Sequence, residues 1–89
     1  MFDDRDLAFI KSGKYRIKVM RYIRDNNMVT PNDISQSMDV ILPQVSRTLS
    51  ELENKEIILC TTPNRNKGRI YRLTEKGKKI LDFLEDIQK

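Results

Sequence analysis

Val45-Ser46-Arg47-Thr48-Leu49-Ser50-Glu51-Leu52 is the stretch that decides the fold of this chain. Val45, Leu49 and Leu52 recur at i, i+4 and i+7, the spacing of one buried helical stripe. At about 100° per residue, Pro43, Arg47, Ser50 and Asn54 lie opposite that stripe, with Gln44 and Ser46 on its flanks. The helix is expected to begin near Leu42-Pro43, where proline is tolerated because first-turn amides have no intrahelical partner, and to run over about 42–55.

Immediately upstream, Thr30-Pro31-Asn32-Asp33 has the marks of a helix start: a hydroxyl cap, proline at the first helical position and an acid in the positive first turn. This predicts a short helix over about 31–38 that buries Ile34 and Met38, with Asp39 as the turn residue and Val40 plugging the corner. Downstream, Ile57-Ile58-Leu59-Cys60-Thr61-Thr62 is β-branched enough for a strand. Pro63 ends it, Asn64 to Gly68 is turn chemistry, and Arg69-Ile70-Tyr71-Arg72-Leu73 returns, so a hairpin is expected over about 57–73. Thr74 caps a last helix over about 75–88, with Ile80, Leu84 and Ile87 as its stripe and Leu81 and Phe83 beside it.

Toward the amino terminus, Leu7, Ala8, Phe9 and Ile10 form a short apolar patch ending at Ser12-Gly13. Ser12 is expected to cap a helix running from Lys14 to about Asp25, which buries Ile17, Val19, Met20 and Ile23 and stops at Asn26-Asn27. Met28-Val29 reads as a brief extended piece.

Composition bounds these elements. The 89 residues suit one small domain, 1–89, with a modest core. With 38% hydrophobic and 34% charged residues, the chain belongs among folded but very polar domains. The formal net charge of +4 admits an anionic partner without requiring one. No stretch is long and apolar enough to span a bilayer, and Asp3, Asp4 and Asp6 stand where a basic leader would be, so a cytoplasmic protein without membrane association is expected. One cysteine and no histidine leave no disulfide framework, no zinc cluster and no histidine acid/base site. We therefore expect no metal, no cofactor and no enzymatic activity. Cys60, between Leu59 and Thr61, reads as a small buried hydrophobe rather than a redox sensor.

The order helix, short strand, helix, helix, hairpin, helix resembles the winged helix-turn-helix transcriptional regulators of the MarR and ArsR-like groups. Arg16-Ile17-Lys18-Val19-Met20 is similar to their first core helix, and Thr30 to Leu52 to their two-helix reader. Arg65 to Arg69 is similar to their basic wing tip, and Tyr71-Arg72-Leu73-Thr74-Glu75-Lys76-Gly77 to the exit from the wing. The resemblance implies a mainly α fold with a small β-hairpin wing, and double-stranded DNA as the partner.

Within that fold, Gln44, Ser46, Arg47 and Ser50 have the side chains to read base edges, since Gln pairs with adenine and Arg with guanine in the major groove. Arg65, Asn66, Lys67 and Arg69 would meet the flanking minor groove or its phosphates, and Thr30 and Asn32 a phosphate at a helix end. The same residues have plainer explanations. Arg47 can pair with Glu51 on its own helix, a basic hairpin tip keeps an edge soluble, and Lys14, Lys18 and Arg21 form an ordinary solvated face. A winged helix used as a protein-interaction module, or as a DNA-binding accessory without sequence preference, is the alternative. Finally, Leu7, Phe9 and Ile10 at one end, with Ile80, Leu81, Phe83, Leu84 and Ile87 at the other, form more apolar surface than one small domain is expected to cover. A homodimer would cover it and would suit a palindromic site.

Overall fold

The computed structural model describes residues 2–26, 28–64 and 68–87. Its order is α1 Asp4–Ser12, α2 Arg16–Asp25, α3 Pro31–Met38, α4 Leu42–Asn54, β1 Ile58–Cys60, β2 Tyr71–Leu73 and α5 Glu75–Ile87. This is mainly α with a β-hairpin wing, as the sequence predicts.

The start of the chain differs from expectation. The patch around Leu7 to Ile10 is a helix of its own, opened by a reciprocal capping box. Asp3 accepts from the N–H groups of Arg5 and Asp6 at 3.0 and 3.1 Å, and the Asp6 carboxylate accepts from the Asp3 N–H at 3.1 Å. Ser12 does not cap α2; it ends α1, and its hydroxyl donates to the Phe9 carbonyl at 2.9 Å. α2 starts at Arg16 rather than Lys14 and has no side-chain cap. Arg16 itself ties the junction together. Its guanidinium donates to the Phe9 carbonyl and, at 2.8 Å, to the Ser12 hydroxyl, lies over the Phe9 ring, and pairs with Glu51 of α4 at 3.1 Å.

α3 and α4 end alike. Asp39 (φ 54°) and Glu56 (φ 60°) occupy the left-handed region, and the following N–H groups reach back five residues, Val40 to Ser35 at 3.1 Å and Ile57 to Leu52 at 3.0 Å. These are Schellman-type stops built without glycine. The turn expected at Asp39 is therefore a left-handed cap, and Val40 packs half-buried against the core.

The wing strands are shorter than the 57–62 and 69–73 stretches that read as strands. Only Ile58–Cys60 and Tyr71–Leu73 pair, antiparallel, with Leu59 opposite Arg72. Hydroxyls take over beyond the ladder: Thr62 Oγ1 accepts from the Ile70 N–H at 3.0 Å, and Thr61 Oγ1 donates to the Ile70 carbonyl at 3.1 Å. The extended piece at Met28-Val29 reduces to one bridge, Val29 to Tyr71.

Every element contributes to one core, including Ile10, Met20, Ile34, Leu49, Leu52, Ile58, Leu73, Ile80, Leu81 and Leu84. Four residues expected at a subunit interface, Ile10, Ile80, Leu81 and Leu84, are thus buried within the chain itself. The expectation that one domain could not cover both ends fails because α2 packs against α1 on one side and α5 on the other. Leu7 and Phe9 are half-buried on the core, whereas Phe83 is 42% exposed, with the Phe2 ring 5.7 Å away. The side chain of Ile87 lies outside the described residues.

α5 is joined to the segment that follows α4 by a tight contact. The Ile57 carbonyl accepts from both the Thr74 N–H at 3.0 Å and the Thr74 hydroxyl at 3.1 Å, and Thr74 Oγ1 in turn accepts from the Gly77 N–H at 3.0 Å. A Cβ at residue 77 would overlap that Ile57 carbonyl oxygen. Gly77→Ala is therefore expected to destabilise by about 1–3 kcal/mol in urea unfolding, although alanine is the better helix former in isolation. An unchanged midpoint would mean the contact relaxes freely.

At the same end of α5, Lys76 pairs with Asp6 of α1 at 3.3 Å. Partial burial pushes the Asp6 carboxyl up, but the Asp3 N–H and the Lys76 ammonium outweigh it and hold the group below the usual carboxylate range. A depressed carboxyl stabilises the fold above the unfolded-state pKa, and that stabilisation is lost as the pH falls through the folded-state value. Asp6→Asn should cost about 1 kcal/mol at pH 7, and the gap to wild type should close as the pH falls below about 4. A gap that persists in acid would assign the loss to packing instead of charge.

Candidate nucleic-acid interface

The amino end of α3, the outer flank of α4 and the return of the wing enclose an open groove of about 610 Å³. Thr30, Pro31 and Asn32 form one wall, Leu42, Ser46, Leu49 and Ser50 the second, and Gly68, Arg69 and Tyr71 the third.

Each wall is fixed by local chemistry. The Thr30 hydroxyl accepts from the Asp33 N–H at 3.2 Å while Asp33 accepts from the Thr30 N–H at 3.1 Å, and Pro31 follows at the first helical position. This is the helix start that the Thr-Pro-Asn-Asp pattern predicts, with a reciprocal box in addition. The core stripe of Val45, Leu49 and Leu52 is buried and turns Ser46, Arg47 and Ser50 outward, all exposed. Thr48, outside the expected core stripe, is also buried and donates its hydroxyl to the Gln44 carbonyl at 3.0 Å. Tyr71 joins the third wall to the first: its N–H donates to the Val29 carbonyl at 3.0 Å, one residue before the Thr30 cap.

Of the expected DNA-binding residues, the groove therefore brings together Thr30, Asn32, Ser46, Ser50 and Arg69. Gln44 is half-buried and stands outside it. Arg47 is exposed on the neighbouring face of α4. The i, i+4 pair with Glu51 does not form, since Glu51 turns to Arg16 instead, and Arg47 has no hydrogen-bond or ion-pair partner among the described residues. Arg69 differs from its expected place on a flexible tip. It lies half-buried just beyond the paired strands and donates to the Pro63 carbonyl at 3.1 Å. Arg65, Asn66 and Lys67 lie outside the described residues.

Sequence reasoning missed Leu42 and Tyr71 as lining residues. Leu42 lies seven residues before Leu49, nearly aligned with the core stripe, yet it is 40% exposed because the first turn of α4 overhangs the core. In the sequence Tyr71 reads only as a residue of the returning strand. It is only 6% exposed, and burial pushes its phenol up against the opposing pull of the Arg69 guanidinium, so the hydroxyl is neutral. The groove therefore presents neutral donors and acceptors from threonine, asparagine, serine and tyrosine, with one guanidinium at its edge. Of the basic stripe on α2, Lys14 and Lys18 are exposed, while Arg21 is held by Glu85 at 3.4 Å. Cys60 is half-buried, 3.9 Å from the Thr62 hydroxyl. Among the described residues no group of carboxylate and cysteine side chains could hold a metal ion, and no helix is long and apolar enough to cross a membrane.

Neither a protein-family model nor a curated protein matches the chain. Solved structures do. A mutant of Staphylococcus aureus MepR superposes with a TM-score of 0.79 at 23% identity, covering 96% of this chain and 64% of that one. A complex of S. aureus MepR with DNA gives 0.75 at 23% identity, covering 96% and 63%. The apo form of wild-type MarR from Escherichia coli gives 0.73 at 26% identity, covering 93% and 65%. The chain thus spans just under two thirds of the length of these neighbours, and what it shares with them is the winged-helix fold of MarR-type regulators.

The two polar residues on the first wall separate folding from binding. Thr30→Ala removes a cap and should cost about 1 kcal/mol, whereas Asn32→Ala, on an exposed side chain, should stay within about 0.5 kcal/mol of wild type. Thermal unfolding checks both. A large loss for Asn32→Ala would show that its side chain serves the fold.

Proposed function

We propose that this winged helix is a sequence-specific, double-stranded DNA-binding transcriptional regulator that acts by occupying its site and has no enzymatic activity. The observation that carries the proposal is the convergence of α3, α4 and the wing on one polar groove beside an unpaired outward arginine, Arg47. The fold is shared with MepR, which has been solved on DNA, and that likeness supports the same partner here.

On this reading α4 enters the major groove by its first two turns. Arg47 would meet a guanine edge, with Ser46, Ser50 and Gln44 as adaptable donors and acceptors. Glu51 and Glu53 follow, and their charge limits how much of the helix can approach the phosphates. Thr30 and Asn32 would meet the backbone at the α3 end. The wing would bring Arg65, Asn66, Lys67 and Arg69 to the flank, where phosphate contact makes affinity fall with salt.

A symmetric pair would present two such readers to a palindrome, and we infer a homodimer on that ground. With Ile10, Ile80, Leu81 and Leu84 internal, the apolar surface left for it centres on Phe83, beside the half-buried Phe2 ring. Phe83→Glu should shift sedimentation equilibrium toward monomer while leaving the fold intact. A wild-type chain that sediments as a monomer at all concentrations would remove the dimer.

Selection from random duplexes, followed by affinity against salt, tests the function. Arg47→Ala should cost about 1–3 kcal/mol on the selected site and relax preference at one base position. Replacing Arg65 and Lys67 together by Ala should weaken all duplexes and flatten the salt slope by up to about 2 units. Salt-dependent binding with no enriched sequence would indicate an accessory DNA binder instead, and no binding at low salt would favour a protein-docking module.

A further inference from the structure

The start of α4 is apolar where a reader helix meeting phosphate would be polar. Ile41, the residue capping α4, is 72% exposed and offers no side-chain cap; Leu42 is 40% exposed, and Pro43 is exposed beside them. The fold does not require Ile41 at this corner. Val40 already fills it, half-buried on the core, with its N–H donating to Ser35 and its carbonyl accepting from the Ser35 hydroxyl. Ile41 is therefore held on a fixed backbone with its side chain in solvent.

The amides at this helix end are also unavailable to an anion. Pro43 has no N–H, and the Gln44 and Val45 N–H groups both donate to the Ile41 carbonyl, at 3.1 and 3.2 Å. A helix amino terminus normally attracts phosphate through free N–H groups; of the first four residues of α4, only Leu42 keeps an N–H to do so. Isolated exposed hydrophobics are ordinary. Three in succession, one turn before Ser46 and Arg47 and with Leu42 in the groove wall itself, form a contiguous surface on the reading side. In the major groove, the apolar feature that a base pair presents is the thymine 5-methyl group.

We propose that Ile41 and Leu42 form an apolar tip that reads thymine methyl groups next to the base read by Arg47. The proposal rests on the regulator reading above and adds the chemistry of a neighbouring position in the site: thymine, recognised by its methyl group and not by hydrogen bonds.

The test uses the whole 89-residue chain and its selected duplex, with each thymine replaced in turn by deoxyuridine, which removes only the methyl. At one or two positions in each half-site, affinity should fall about fourfold per methyl lost. Ile41→Ala or Leu42→Ala should lower affinity for the thymine duplex by a similar factor and abolish the deoxyuridine effect at the matching position. The salt slope should not change, because no phosphate contact is lost. Ile41→Ser, at a solvent-facing position, provides a second variant should Leu42→Ala unfold. Specific binding that tolerates deoxyuridine everywhere, or that loses the same factor in wild type and variants, would overturn the proposal and leave the regulator reading standing. Failure to bind any duplex would remove both.

Discussion

The hydrogen bond from the Tyr71 N–H to the Val29 carbonyl, 3.0 Å long, is the constraint on which the site depends. A two-stranded hairpin has little stability of its own, and here only three residues on each strand pair. Two things hold it in place: Tyr71 and Leu73 sink into the core on one face, and Tyr71 bridges to the segment that leads directly into the Thr30 cap. The return of the wing is thereby fixed to the start of α3, and the same tyrosine lines the groove between them. Were that bridge absent, Arg69 and α4 would not face a common space.

Charge is sorted around this arrangement. Acids on the scaffold are taken up by basic partners away from the groove: Glu51 by Arg16, Glu85 by Arg21 and Arg24, and Asp6 by Lys76. The Arg24 guanidinium is held well above its ordinary value by Asp25 and Glu85, while Arg24 keeps the Asp25 carboxyl low. Pairs this exposed contribute little to stability, so their effect on the site is chiefly one of sign. They pair the arginines of α2 with acids of α4 and α5, while Lys14 and Lys18 on the α2 side and Arg47 on α4 stay exposed.

Much of this was legible in the sequence wherever periodicity and turn chemistry act locally. The spacing of Val45, Leu49 and Leu52 and the Thr30-Pro31 start determine two helices almost residue by residue, because each depends only on neighbours within a turn or two. The errors arose where distant parts decide. Ser12 has the chemistry of a cap, yet Arg16 reaches back to it and to Phe9, which makes it the end of one helix and not the start of another. Asp3 and Asp6 were legible as a capping pair and were read only for their charge. Ile10, Ile80, Leu81 and Leu84 look like surplus apolar surface until α2 is seen to separate and cover both ends. Leu42 follows the period of the core but overhangs it, which no helical wheel can reveal. Arg47 has a partner in sequence at Glu51, and loses it to Arg16, which lies thirty-five positions before Glu51 in the chain.

The most direct measurement of the central claim is an amide-shift map of the labelled chain titrated with its selected duplex. The account predicts that the largest changes fall on Thr30, Asn32, Ser46, Arg47, Ser50, Gly68 and Arg69, on the three walls of the groove and the adjoining face of α4. Changes confined instead to the surface around Arg24, Arg72 and Lys78 would contradict it, because the duplex would then be bound by a surface that contains neither α4 nor the groove.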